Sequence, residues 1–202
     1  MPLMQAASQT ATQPRSGLSL DTLSSTLAGK GALVVSASLF VAACAHLSFP
    51  LPFTMIPLTF SDLAVLVVGL VLGPQMAFAA LALYLAEAAS GLPVMSPTGP
   101  GGIAQLLGFS GGYLFAYPFA AALAGYLARA LKSAPRYASA AIAATAATVL
   151  IMASGAAWLS FFTHHDASLT FKLAVLPFLP GEAIKIASAA GIYTALSRWH
   201  RA

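Results

Sequence analysis

Long apolar segments that carry almost no charge make up most of the sequence after Lys30. Only 7% of the 202 residues are charged, whereas ordinary globular domains average roughly 25%. Such runs are long enough to cross a bilayer as helices, which satisfy every backbone hydrogen bond internally. The sequence therefore predicts an all-α integral membrane protein embedded in a lipid bilayer.

The apolar runs divide into six predicted spans. Residues 1–30 are polar and predict a partly disordered cytoplasmic leader, and residues 31–200 predict the membrane domain. Gly73-Pro74 should end the second span, and the glycine-rich stretch 108–113 should interrupt the fourth. The predicted spans cover residues 32–49, 63–72, 75–89, 103–131, 137–162 and 183–196.

The basic residues predict the orientation of these spans. Six spans place both termini on one side, and seven of the nine Lys and Arg residues fall on that side: Arg15, Lys30, Arg129, Lys132, Arg136, Arg198 and Arg201. Because Lys and Arg are enriched in cytoplasmic loops, both termini are predicted to be cytoplasmic. The expected location is the bacterial cytoplasmic membrane, with the start of the last span facing outward.

Glu182 and Lys185 place opposite charges three residues apart at the head of the last span. Pro180 and Gly181 suit the first turn of a helix, where the helix dipole favours the Glu182 carboxylate. An intramembrane charge suggests a functional site, although a purely structural ion pair is the alternative. Glu87, in the third span, points either into a cavity or to the membrane interface; both interpretations stay open.

The loop of residues 90–102 is dense in Gly and Pro and predicts a lid or a ligand-cradling segment at the outer face. Its glycines do not form a nucleotide-binding pattern, and the few scattered basic residues exclude a nucleic-acid surface. No metal site is predicted: the single Cys44 excludes a thiolate site, and His164, His165 and Asp166 are adjacent in one short loop. His46 is either a packing residue or a pocket donor.

Small residues recur every four positions along two faces of the first span. One face comprises Ala28, Ala32 and Ser36, and the other comprises Ala37, Val41 and Ala45. Such faces allow another helix to approach closely. They predict packing either against a partner protein, against another copy in a homo-oligomer, or within the same bundle.

Several motifs resemble the BioY family of biotin-binding membrane proteins, in the same order over roughly residues 33–196. In the first half these are Pro50-Leu51-Pro52-Phe53-Thr54, Pro57-Leu58-Thr59, Ala64-Val65-Leu66, residues 69–74, and Leu83-Tyr84-Leu85. In the second half they are Gly91-Leu92-Pro93-Val94, Leu106-Leu107-Gly108, Gly111-Gly112-Tyr113-Leu114, and Pro180-Gly181-Glu182 with Lys185.

The resemblance implies a six-helix bundle of the kind found in substrate-binding (S) components of energy-coupling factor (ECF) transporters, with an outward-facing pocket for biotin. It also implies three partner subunits: a transmembrane coupling protein and two ATPases. Because ATP is used only in those separate subunits, the chain itself is expected to need no cofactor. Glu182 and Lys185 match the acidic residue and lysine of the family's Pro-Gly-Asp-x-x-Lys pattern. Together with residues placed near the expected pocket by the span positions and by departures from the family pattern, the full predicted ligand-binding set is Glu182, Lys185, Tyr84, Ser61, Asp62, Glu87, Met95, Thr98 and Tyr113.

Two other functions remain open from the sequence. An S component for another small vitamin or precursor is favoured by departures from the family pattern at Ser61, Asp62 and Thr98. An intramembrane enzyme using Glu87, Glu182 and a histidine is less favoured, because no nucleophile and base stand at a recognisable spacing. No catalytic residue is predicted.

Overall fold

The computed structural model describes residues 26–49, 57–163 and 167–199, and most of these residues are helical. We number the helices in chain order: α1 (Leu27–His46), α2 (Ser61–Leu72), α3 (Pro74–Ala89), α4 (Gly102–Leu106), α5 (Gly111–Ala130), α6 (Arg136–Thr163), α7 (Ala167–Ala174) and α8 (Leu179–Trp199). Strands β1 (Ser48–Phe49) and β2 (Leu58–Thr59) form an antiparallel pair, and a 3₁₀ turn covers Leu176–Phe178.

Three segments of this described part are long and apolar enough to cross a bilayer: Leu27–His46, Arg136–Phe161 and Leu169–Trp199. Helix α2 is apolar but shorter. The prediction of a mostly helical membrane protein is therefore confirmed.

Local sequence signals explain several helix ends. The Thr26 hydroxyl accepts a hydrogen bond from the Gly29 amide at 3.1 Å and caps the start of α1. Gly73 ends α2 with φ 77°, a conformation that glycine adopts without strain, and Pro74 occupies the first turn of α3. The predicted boundary at Gly73-Pro74 and the predicted interruption of the fourth span, between α4 and α5, are both confirmed.

The first and last spans differ from their predicted limits. Helix α1 begins earlier than the predicted residue 32, because Thr26 caps its start, and it ends earlier than residue 49, because the chain after Leu47 pairs with β2 instead of continuing the helix. Helix α8 begins at Leu179 and continues to Trp199, beyond the predicted 183–196. Helix α7 was not predicted. The leader up to residue 25, the motif of residues 50–54 and the triplet of residues 164–166 lie outside the described residues.

Helices α2 and α5 approach each other closely at two glycines. A Cβ added at Gly69 would lie 2.5 Å from the Ala121 carbonyl oxygen, and one at Gly125 would lie 2.6 Å from the Gly69 carbonyl oxygen. Ala121 and Ala124 are fully buried beside them. Small residues bring these backbones together, as is common between membrane helices.

The bundle has two chemically different ends. At one end, Arg129 Nη2 donates to the Leu72 carbonyl at 3.4 Å, and Arg136 Nη1 donates to the Ser197 carbonyl at 3.0 Å. The ends of α2, α5 and α8 and the start of α6 therefore lie at this end, which we call the basic end. The starts of α2, α5 and α8, with the end of α6, lie at the opposite end, which we call the pocket end.

Candidate ligand-binding site

Asp62, Glu182 and Lys185 form an ion cluster at the pocket end. Lys185 Nζ donates to Asp62 Oδ2 at 2.8 Å and to Glu182 Oε1 at 2.7 Å. The three side chains are 13%, 4% and 7% exposed respectively. Each carboxylate therefore shares the ammonium in a largely water-free setting, where unpaired charges would be costly.

Local structure explains how these residues meet. Glu182 and Lys185 lie on one face at the start of α8, as their i, i+3 spacing predicts. Asp62 lies in the first turn of α2, where an acidic side chain complements the helix dipole. The β1–β2 pair and the hydrogen bond from the Phe60 amide to the Leu47 carbonyl fix where α2 begins. Asp62 thereby reaches α8 from a distant part of the chain.

A chain of hydroxyl groups extends the cluster. Tyr117 Oη donates to Asp62 Oδ1 at 2.7 Å and lies 2.8 Å from Ser61 Oγ, which is 2.5 Å from Thr59 Oγ1. Because Tyr117 has one proton and gives it to Asp62, Ser61 must donate to Tyr117 and accept from Thr59. All hydrogen bonds in this series therefore point toward the Asp62 carboxylate.

A cavity lies beside the ion cluster, and Asp62 belongs to both. Its walls combine aromatic and aliphatic side chains with a few polar groups, the composition typical of small-molecule pockets. The lining residues are Ala45, Pro57, Thr59, Ser61, Asp62, Tyr84, Ser96, Gln105, Ser110, Tyr113, Leu114, Tyr117, Met152 and Phe178.

Four of the predicted ligand-binding residues line this cavity: Ser61, Asp62, Tyr84 and Tyr113. Glu182 and Lys185 are not among the lining residues, but their hydrogen bonds connect them to it through Asp62. One carboxylate oxygen of Glu182, Oε2, is buried without a hydrogen-bond partner in the described part of the chain.

The other three predicted residues lie nearby but outside that cavity. Met95 is buried and lines a second hollow under the loop of residues 91–102, together with His46. Thr98 is exposed, and its hydroxyl lies 2.7 Å from that of Ser96, which lines both hollows. Glu87 is half-buried and accepts a hydrogen bond from Ser38 of α1 at 2.5 Å. The roles of these three residues in binding stay predictions.

Several cavity residues were not predicted. Tyr117 lies one helical turn after Tyr113 on α5, so helical periodicity offered a signal for it. Gln105 of α4 is 6% exposed and accepts a hydrogen bond from the Gly101 amide at 3.2 Å. Ser96 and Ser110 stand at positions that depart from the family pattern, and no sequence pattern indicated Gln105, Met152 or Phe178.

The structure separates the two small-residue faces of α1. Ala37, Val41 and Ala45 are buried against the rest of the bundle, whereas the face formed by Ala28, Ala32 and Ser36 is exposed. The first face is therefore used within the chain.

The helices and the buried cavity define an integral membrane protein that binds a small molecule, and in the described ranges no group of metal-ligating side chains comes together. A sequence model of the BioY family matches residues 14–202, and the chain belongs to that family. This confirms the resemblance seen in the sequence motifs, and with it the prediction that the chain is a transport component and not an enzyme.

Individual relatives agree with this assignment. The probable biotin transporter BioY of Pyrococcus horikoshii is 36% identical over 134 residues, which are 66% of this chain and 76% of the relative. The biotin transporter BioY of Lactococcus lactis is 33% identical over 139 residues, 67% of this chain and 72% of the relative. A crystal structure of the S-component for biotin from an ECF-type ABC transporter aligns with a TM-score of 0.77 and 26% identity, covering 84% of this chain and 90% of that chain.

Proposed function

We propose that the chain captures biotin at the outer face of the bacterial cytoplasmic membrane, as the S component of an ECF-type transporter. The observation that carries the proposal is the cavity beside the buried ion cluster, found in a member of the BioY family. The names of the relatives and the similar crystal structure support biotin as the ligand.

The chemistry of the site suits this ligand. A carboxylate accepts hydrogen bonds from the N–H groups of a ureido ring, and Asp62 is at the cavity wall to do so. Tyr84, Tyr113, Phe178 and Met152 supply apolar surface for a sulfur-containing ring and an aliphatic tail.

The proposed topology has six spans, formed by α1, α2, α3, α4 with α5, α6 and α8. Helix α2 has 12 residues and extends about 18 Å, so in this topology the β1–β2 pair, which directly precedes it, helps to complete its passage through a hydrocarbon core of about 30 Å. The clustering of Arg129 and Arg136 at the basic end favours cytoplasmic termini. The pocket end then faces outward, where biotin arrives.

Any ATP-driven step must take place in other subunits, because the sequence contains no phosphate-binding loop. The proposed partners are a transmembrane coupling protein and two ATPases. The exposed face of Ala28, Ala32 and Ser36 is suited to close packing with a partner helix, or with a second copy of the chain.

The test is equilibrium binding of radiolabelled biotin to the purified protein, together with uptake by cells that express it with its coupling module. We expect tight binding by the wild type and loss of binding and uptake in Lys185→Ala, measured on protein that remains monodisperse in detergent. Undiminished high-affinity binding in this variant would argue against the assigned site.

Two further outcomes would redirect the proposal. The extra carboxylate of Asp62 in the cavity favours, as a second candidate, an S component for another vitamin or precursor. Displacement of the bound ligand by thiamine or riboflavin, but not by biotin or desthiobiotin, would support that candidate. Uptake that persists without any ATPase subunit would instead indicate proton-coupled transport by the chain alone.

A further inference from the structure

Asp62 is the member of the ion cluster that reaches the cavity. It lines the cavity wall, while its two oxygens accept hydrogen bonds from Lys185 at 2.8 Å and from Tyr117 at 2.7 Å. A carboxylate has about four acceptor positions, so each oxygen retains capacity for one more donor. Asp62 is therefore positioned by α5 and α8 and still able to accept a hydrogen bond from the cavity side.

Lys185 is much less available to a ligand. Its ammonium has three N–H donors, and two of them already bind Asp62 and Glu182. The cluster of one lysine and two carboxylates has a formal charge of −1. A ligand carboxylate placed here would be a third anion around a single cation, in surroundings that exclude most water, and repulsion there is poorly screened.

We propose that Asp62 is a specificity-determining residue that selects the hydrogen-bond-donating end of the ligand. It accepts an N–H from a cyclic urea, or from its cationic analogue, a cyclic guanidinium, and the acid tail of the ligand lies away from the ion cluster. This inference rests on the proposed function, because it concerns the same cavity. Lys185 acts through Asp62, which it holds in place.

The substitution Asp62→Asn tests the proposal by the sign of its effect on biotin affinity. Asparagine keeps the size of the side chain and an acceptor for Tyr117, and Lys185 keeps Glu182 as its counter-ion. If Asp62 accepts a ligand N–H, losing this charged acceptor weakens biotin binding at least about tenfold. If Lys185 instead binds the ligand carboxylate, the substitution frees the ammonium and tightens binding. Tighter or unchanged binding overturns the proposal.

A second measurement compares biotin with 2-iminobiotin, whose ring is a cyclic guanidinium at neutral pH. We expect the wild type to bind 2-iminobiotin at least as tightly as biotin, because the cluster carries excess negative charge. In Asp62→Asn this preference should shift at least about tenfold toward biotin. A merely structural role for Asp62 would weaken both ligands equally. A wild type that strongly prefers biotin, or a variant whose ratio does not shift, contradicts the proposal.

Controls separate this inference from the proposed function. Thr194→Val alters a hydroxyl that binds the Ala190 carbonyl within α8, far from the cluster, and should leave both affinities unchanged. If the wild type binds neither ligand, the proposed function fails and the inference fails with it. If the wild type binds biotin but binds 2-iminobiotin much more weakly, only the inference fails. This comparison needs the wild type alone, so it decides the question even where Asp62→Asn cannot be purified in folded form.

Discussion

Lys185 of α8 and Asp62 of α2 are 123 residues apart in sequence, yet their side chains meet at 2.8 Å in the interior of the bundle. This contact joins the last helix to the second at the pocket end. Because Glu182 also binds Lys185, one ammonium is shared by two carboxylates. Lys185 is thus the electrostatic centre of the described part of the site.

Lys185→Met should destabilise the ligand-free protein strongly. The substitution leaves Asp62 and Glu182 close together without a cation, and removal of one partner from a buried ion pair typically costs about 3–5 kcal/mol. Thermal unfolding in detergent, without ligand, should therefore show a clear decrease in Tm.

The double variant Lys185→Met with Asp62→Asn is the matched control. It removes one of the two uncompensated carboxylates, so its Tm should lie above that of Lys185→Met alone. A non-additive recovery of this kind is the signature of coupled residues. A double variant that is less stable than the single variant would contradict the view that charge repulsion causes the loss.

Glu182→Gln should separate the ligand role of Glu182 from its structural role. Lys185 keeps Asp62 as a partner in this variant, so the Tm should change little. Glu182 does not line the cavity itself, but it is linked through Lys185 to Asp62, which does, and its Oε2 is buried without a partner in the described residues. An acceptor of this kind is suited to a ligand N–H that extends past Asp62. We expect biotin affinity to fall about tenfold. A large fall in Tm with unchanged affinity would instead indicate a purely structural ion pair.

Much of the fold follows from local sequence signals. Gly73-Pro74 fixes a helix boundary through the backbone preferences of its two residues, and the glycines around residue 110 separate α4 from α5. The β1–β2 pair and α7 left no such signal. Each strand has two residues, too few for an alternating pattern, and α7 is separated from α8 only by a 3₁₀ turn within one apolar stretch.

The candidate site likewise combines features that the sequence predicts with features that it does not. The proximity of Glu182 and Lys185 follows from helical spacing and is confirmed. The pairing of Lys185 with Asp62 depends on how α2 packs against α8, and no periodicity within either helix encodes it. Gln105 and Ser96 reach the cavity from α4 and from an irregular loop, where the fold of the loop, rather than residue type, decides which side chains point inward.

Tyr117→Phe should weaken the site without removing any charge. The change deletes the hydroxyl that donates to Asp62 and accepts from Ser61, and a hydrogen bond to a charged group is worth about 1.5–3 kcal/mol. We expect a lower Tm in the absence of ligand and weaker biotin binding, both smaller than the effects of Lys185→Met. An effect as large as that of Lys185→Met would contradict the view that loss of the cation costs more than loss of one hydrogen bond to Asp62.

Gly155→Ala should perturb the cavity through steric contact alone. A Cβ at Gly155 of α6 would lie 2.3 Å from ring carbons of Tyr113, a distance that real Cβ atoms do not tolerate. Tyr113 lines the cavity, so its buried ring must shift and change the shape of the wall. Titration with radiolabelled biotin should show reduced affinity, with a lower Tm in the absence of ligand.

Gly191→Ala provides the matched control for this last variant. Gly191 is also in a helix, α8, but a Cβ there would meet no atom within 4 Å in the described structure. Alanine is the better helix former by up to about 1 kcal/mol, so stability should stay equal or rise, and biotin affinity should not change. If both variants lost affinity to the same extent, the close contact between Gly155 and Tyr113 would not be the cause, and the steric explanation would be wrong.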